Sequence, residues 1–284
     1  MKTREKIIEK LIFISAVVSV AAVALITIFI FSSGMPALKE TGLINFISGA
    51  TWSPTNGDYG ILPLIAGSLS VTIGSLILGI PLGIGCAVFI AEILDRRPAR
   101  FFQSAIELLA GIPSVVYGFF GLVILVPIVR QIFGGNGFSI IAGSVILAIM
   151  ILPTIVSISA NSISAVPLEY REASLALGAD KRQTIMKVIL PAAKSGIFSS
   201  VILAMGRSIG ETMAVLLITG NVAKVPGALT DSVATMTGTI AMEMSYATPA
   251  HQQALFAIGI VLFVIIMILN GTAQLIMKRF GGLS

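Results

Sequence analysis

Charge is scarce in this sequence. Asp, Glu, Lys and Arg make up only 11% of its 284 residues, against about 25% in an ordinary soluble domain. Hydrophobic residues make up 56%, and mean hydropathy is +1.02. The polar residues are too few to cover a soluble globule, so cytosolic enzymes and disordered chains are excluded. Cysteine is limited to Cys86, which excludes an internal disulfide. Histidine is limited to His251. It has no Cys, His or carboxylate cluster around it in sequence, so no metal site is evident, and it reads as an external loop residue. The pattern G-x-x-x-x-G-K-[ST] is missing, which excludes a P-loop cradle for ATP phosphates. No alternating run is long or regular enough for a β-barrel. In lipid that leaves helices to satisfy the backbone, so the expected class is an all-α integral membrane protein.

What is there is a series of long apolar runs. About 20 such residues cross the hydrocarbon as a helix. Six transmembrane helices are expected: Leu11–Ser32, Ile61–Ala91, the stretch between Glu107 and Arg130, Phe138–Ala165, Gly196–Gly220 and Gln253–Met277. The first is too long for a signal-peptide core and lacks a convincing cleavage site, so it reads as a retained anchor. Fourteen Lys and Arg residues fall on the side of the termini and the even-numbered loops, against Lys39, Arg130 and Lys224 on the other. This bias places both termini and the even-numbered loops in the cytoplasm; the expected location of the chain is the cytoplasmic (inner) membrane. The net charge of +5 therefore speaks of topology, not of nucleic acid.

Several spans carry helix breakers: Pro81, Pro113, Pro127 and Pro153. Gly79/Gly83 and Gly206/Gly210 have GxxxG spacing, and close helix packing is the expected reason. Thr154, Ser157, Asn161 and Ser164 form one polar stripe on span four. Such a stripe lines a path or glues helices by hydrogen bonds, and glue is the favoured reading. Glu107 is expected inside the end of span three, paired with Arg100 or a neighbouring loop. Trp52 is expected to be an interfacial aromatic anchor.

Span five holds two charges, Arg207 and Glu211. An arginine at that depth costs roughly 2.5–3.5 kcal/mol on insertion scales, so it must face protein or a wet cavity. Arginine four residues before glutamate is the weaker order for an intrahelical pair, so helix stability is a poor reason for it. A guanidinium fork matches oxyanion oxygens bidentately. The nearby carboxylate would hold the arginine when no anion is present. The competing reading is a buried pair that sets helix register.

The loop from Pro167 to Ser195 has its own pattern. Pro167 suits a first helical position. Tyr170, Ala173, Ser174 and Leu177 share one helical face, Gly178 is a left-handed stop, and Asp180 with Gln183 resembles a capping box. Two short helices meeting at Gly178 are expected, forming a cytoplasmic knob.

Glu172-Ala173-Ser174, Gly178 and Val188-Ile189-Leu190-Pro191 resemble the EAA motif of ABC importer permeases, with Ser174 for its last alanine and Val188 for isoleucine. The stretches from Glu107 to Gly118 and from Gly206 to Val215, and the first loop with Phe46 and Trp52, are similar to phosphate-specific transport (Pst) permeases, nearest the PstC-type subunit. The resemblance implies a type I (MetI-like) permease fold. It implies an anchor helix and first external loop over residues 1–60, and a permease core over 61–284 with a coupling loop at 167–195. It implies a phosphate path formed with a PstA-type permease and carrying Arg207 and Glu211. Tyr170, Glu172, Ala173, Ser174, Gly178, Ala179 and Asp180 would couple to two PstB-type ATPase subunits. Those subunits would use the ATP, with no cofactor in this chain, and a PstS-type binding protein would deliver phosphate. Permeases for molybdate, tungstate or sulfate share the architecture and stay open as the alternative.

Overall fold

In hydrocarbon each peptide N–H must find a carbonyl within its own segment, and the apolar runs accordingly fold as helices. The computed structural model describes residues 2–281, and the side chains of residues 8–275 apart from Arg96. Of the orienting charges, Lys2, Arg4, Lys6, Arg96, Lys278 and Arg279 lie outside the described side chains.

Helix α1 (Lys2–Thr41) is followed by the short α2 (Leu43–Ser48) and a hairpin of β1 (Trp52–Ser53) and β2 (Asp58–Tyr59), with Trp52 opposite Tyr59. Span two is α3 (Leu62–Val88), prolonged by a π turn at Phe89–Ile93. Then come α4 (Arg96–Ala110), α5 (Ser114–Phe120), a π turn at Gly121–Leu125 and α6 (Val126–Phe133). Span four is α7 (Ile140–Ser164). The knob follows as α8 (Leu168–Ala176), α9 (Lys181–Thr184), a π turn at Ile185–Ile189 and α10 (Leu190–Ala192). The chain finishes with α11 (Lys194–Ile209), α12 (Met213–Ile218), α13 (Met236–Glu243) and α14 (Pro249–Gly281).

Five helical stretches are individually long and apolar enough to cross a membrane, and a sixth span is broken into pieces. Two sequence expectations change here. The third span begins at Ser114, not near Glu107. The residues before it form the separate helix α4, because Gly111-Ile112-Pro113 interrupts the helix and Pro113 supplies the extended N-cap of α5. Glu107 is exposed on α4, and among the described residues it makes no ion pair with Arg100. The fifth span is not one helix from Gly196 to Gly220. Its approach, Lys181–Ala192, is bent 67° from α11, and α11 itself stops at Ile209.

Proline explains two of the π turns. Pro127 and Pro191 have no N–H to give, which would orphan a carbonyl one turn back. Each follows a π turn in which the preceding residue donates five positions back, Val126 to Gly121 and Leu190 to Ile185. The wider turn absorbs the missing donor without exposing the backbone to lipid.

The central contact is α3 against α7. A Cβ at Gly79 would lie 2.8 Å from Ile151 Cδ1, and one at Gly83 2.6 Å from Ile155 Cγ2. This glycine pair is a packing seam, as its spacing predicted. Gly206 has no such neighbour within 4 Å in this chain. Hydroxyl pairs join the other helices: Ser75 Oγ lies 2.7 Å from Ser208 Oγ, linking α3 to α11, and Ser159 Oγ lies 2.9 Å from Ser200 Oγ, linking α7 to α11. The polar stripe of span four does not do this work. Thr154 and Ser157 are half-buried, Asn161 and Ser164 are exposed, and among the described residues none of the four bonds to another helix.

The hairpin and the loops flanking α13 gather at the end of the bundle opposite the knob. Trp52 is buried there, and its indole N–H donates to Glu243 Oε2 at 3.1 Å. The same oxygen lies 2.7 Å from His251 Nε2 in the first turns of α14. Trp52 is thus a core residue rather than a lipid-facing anchor, and His251 is buried rather than a loop residue, because one carboxylate gathers both.

Substitution G83L is expected to lower the stability of the purified chain by about 1–3 kcal/mol through overpacking. G206A, facing open space, is expected to stay within about 1 kcal/mol of wild type. Thermal unfolding in detergent checks both.

Candidate functional site

Span five carries the candidate path residues because its helix stops in mid-course. Helix α11 has 16 residues, about 24 Å at 1.5 Å per residue, short of the roughly 30 Å of hydrocarbon. Gly210 caps it, with its N–H on Gly206 O at 3.3 Å. Thr212 then leaves helical geometry at φ −120° and ψ −61° before α12 begins.

The break is chemically satisfied. Glu211 Oε1 accepts from Ala214 N at 3.2 Å, closing the first turn of α12. Thr237 Oγ1, from the second residue of α13, donates to Glu211 O at 2.7 Å. Ser68 Oγ accepts from Met236 N at 2.9 Å and seats α13 on α3. Broken spans whose freed backbone groups are re-satisfied by neighbours are where transporters build their binding sites.

Arg207 lies in the last turn of α11, half-buried. Among the described residues it makes no ion pair, with Glu211 or any other carboxylate. The sequence placed both charges on one helical face. The structure keeps them in one segment but commits Glu211 to capping, since the helix ends between them.

At the opposite end of span four, the knob has the form its pattern predicted. Gly178 takes φ +84° at the corner. Asp180 and Gln183 form a full capping box, with Gln183 N on Asp180 Oδ1 at 2.7 Å. Pro167 stands one residue earlier than expected, as the N-cap of α8. Tyr170, Ala173, Ser174, Gly178 and Ala179 line one cavity of about 500 Å³ together with Leu177, Gln183 and Lys187. Glu172 is exposed outside that cavity, and Asp180 is spent on the cap.

Ser174, where the motif has alanine, is buried, and its hydroxyl lies 2.9 Å from Thr184 Oγ1. That bond joins the two knob helices across the Gly178 corner. Sequence reasoning missed Thr184, which no pattern marks. It also missed Glu92, which was visible only as the first charge after span two. Glu92 Oε1 lies 2.6 Å from Arg171 Nη2 on α8.

A second cavity of about 350 Å³ opens where α4 meets the knob-side ends of spans two and four. Arg100, Gln103, Asn161 and Ser164 line it with five apolar residues. Two members of the span-four stripe therefore face an open cavity.

Fold and site together define a class: a multi-pass membrane permease subunit that leaves ATP hydrolysis to other chains. The chain belongs to the family of binding-protein-dependent transport system inner membrane components, whose profile matches residues 79–282. It is 42% identical to the probable ABC transporter permease protein YqgH of Bacillus subtilis, over 88% of this chain and 83% of that one. It is 32% identical to the phosphate transport system permease protein PstC of Mesorhizobium japonicum, over 89% and 84%. For PstC 1 of Mycobacterium tuberculosis the identity is 31%, over 94% and 90%.

Among solved structures, a chain of the bacterial alginate ABC transporter superposes with a TM-score of 0.62 at 17% identity, over 93% of this chain and 96% of that one. A chain of the inward-facing MetNI methionine ABC transporter gives 0.60 at 17% identity, over 81% and 99%. The MetI-like permease fold expected from the EAA motif is therefore the fold found. Permeases of this family have no ATPase site of their own and work with another permease, an ATPase and a binding protein.

The hydroxyl pair in the knob has a measurable weight. S174A restores the motif's alanine but strands the buried Thr184 hydroxyl. It is expected to destabilise the knob by about 1–3 kcal/mol, seen as faster amide hydrogen exchange over residues 168–190. S174A/T184V, which removes both partners, is expected to recover most of that protection.

Proposed function

We propose that this chain is the PstC-type permease subunit of an ATP-driven phosphate importer and forms half of its translocation path. One observation carries the reading: a half-buried arginine without a carboxylate partner among the described residues, placed where span five breaks. A cation kept at that depth needs an occupant for its fork, and a multiply charged oxyanion supplies matching oxygens. The contact must stay loose enough for release. A single arginine, with Glu211 turned to the backbone, suits a passing ion better than a saturated cage. The PstC relatives favour phosphate, whereas the relative at 42% identity carries no substrate in its name.

In this reading both termini and the knob lie in the cytoplasm. A PstA-type permease completes the path, two PstB-type ATPases dock on the knobs, and a PstS-type binding protein delivers phosphate outside. Closure of the ATPases on ATP rocks the two permeases outward, and hydrolysis returns them inward.

Uptake of labelled phosphate at limiting concentration tests the reading in cells that lack this chain and receive it back. Wild type is expected to restore uptake, and assembled R207Q to lose about ten-fold or more of it, the scale of a lost charged hydrogen bond. Normal transport by R207Q would reduce Arg207 to a structural charge. Restoration of molybdate or sulfate uptake alone would move the assignment to those anions.

The stripe on span four belongs to the same path, since among the described residues its members bond no neighbouring helix and two of them line a cavity. Cysteines placed at Ser157 and Asn161 are expected to react with an aqueous thiol reagent during turnover. Protection of both in every state would remove the stripe from the path.

A further inference from the structure

The knob must do more than dock: its displacement has to reach the spans. Helix α8 meets the membrane part at its chain ends, along Tyr170, which shares a cavity with Ser162 and Gly196, and through the polar contacts of Arg171. Arg171 Nη2 lies 2.6 Å from Glu92 Oε1, with side-chain exposures of 26% and 6%. The same nitrogen donates to Ile163 O at 3.5 Å, in the last turn of α7. A cation suits that end of a helix, where free carbonyls gather. Glu92 sits in the π turn that terminates span two. One guanidinium therefore touches the knob-side ends of spans two and four together. Among the described residues, Glu92–Arg171 is the only ion pair or side-chain hydrogen bond from α8 to span two.

The geometry of the pair matters as much as its position. Contact is through one oxygen and one nitrogen, at an angle outside hydrogen-bond geometry, and Arg171 Nε is buried without a hydrogen-bond partner. A bidentate fork would fix the angle between α8 and span two. A one-point contact lets that angle change while the two ends stay attached. Glu92 is buried, so withdrawing the cation from it is costly, and the joint pivots rather than opens.

We propose that Glu92 and Arg171 are a positioning pair that carries movement of the knob to the ends of spans two and four. The proposal rests on the reading of the knob as the ATPase docking element and adds the residues that make the docked movement effective. It gives Arg171 a purpose beyond its share of the loop's positive charge. It also explains why a carboxylate stands at the end of an otherwise uncharged span.

The test uses the full complex, with partner permease, ATPases and binding protein, reconstituted in lipid vesicles. The quantity read is oxyanion taken up per ATP hydrolysed. R171Q leaves a buried charge alone and E92Q a partly exposed one, so both single variants threaten assembly. E92L/R171L leaves none, and is expected to assemble with its ATPases and hydrolyse ATP at the wild-type rate. Its uptake per ATP is expected to fall by about five-fold or more, the scale of a coupling between distant sites. E92R/R171E, which restores a pair, is expected to recover part of the ratio. A wild-type ratio in E92L/R171L would overturn the proposal, as would equal loss of hydrolysis and uptake. Failure of both double variants to assemble would make the pair a folding requirement and equally overturn it. If the wild-type complex carries molybdate or sulfate instead of phosphate, the phosphate reading falls and this test stands, because the ratio is read with the anion carried.

Discussion

No peptide group in the hydrocarbon can be left without a partner, and the other features of this chain follow from that constraint. Straight helices meet it unaided. Every departure from a straight helix has to bring its own donor or acceptor. Pro127 and Pro191 are preceded by wider turns that skip the missing N–H. The stop at Ile209 is closed by Gly210 on Gly206, by the Glu211 carboxylate on Ala214 and by the Thr237 hydroxyl on the Glu211 carbonyl. The break is closed by dedicated residues and lies beside the charged Arg207.

The same constraint sorts the buried charges. Those that stabilise the fold are paired: Glu243 gathers Trp52 and His251, and Glu92 meets Arg171. Arg207 stands apart from these, half-buried beside the break with no ion pair among the described residues. Glu92 has its counter-ion inside the chain, whereas Arg207 has none among the described residues. The hydroxyl pairs Ser75–Ser208 and Ser159–Ser200 show the neutral counterpart. They tie α11 to α3 and α7, so the span that breaks is anchored on both sides of its upper course.

Much of this was legible in the residues. Hydropathy located the apolar spans because length and composition alone decide what can cross a bilayer. The knob was legible down to its capping box, since Gly178 and Asp180–Gln183 act through local backbone geometry. Gly79 and Gly83 were recognisable by spacing, because a seam between two helices repeats with the helix. The stripe from Thr154 to Ser164 had the same kind of spacing, yet among the described residues it bonds no other helix, and Asn161 and Ser164 line a cavity. A helical period shows that residues share a face, and says nothing of what that face meets.

Sequence by itself determined a helical membrane chain, its long apolar spans, its helical knob and its likeness to importer permeases. Those follow from composition and from contacts within a few residues. Only the tertiary structure decided that Glu211 caps a helix instead of holding Arg207, that Trp52 and His251 share one carboxylate 191 residues and 8 residues away, and that Glu92 reaches Arg171. Each of these joins segments distant in the chain or depends on where a helix stops. The energy of placing a charge belongs to its surroundings, and the surroundings exist only once the helices have packed.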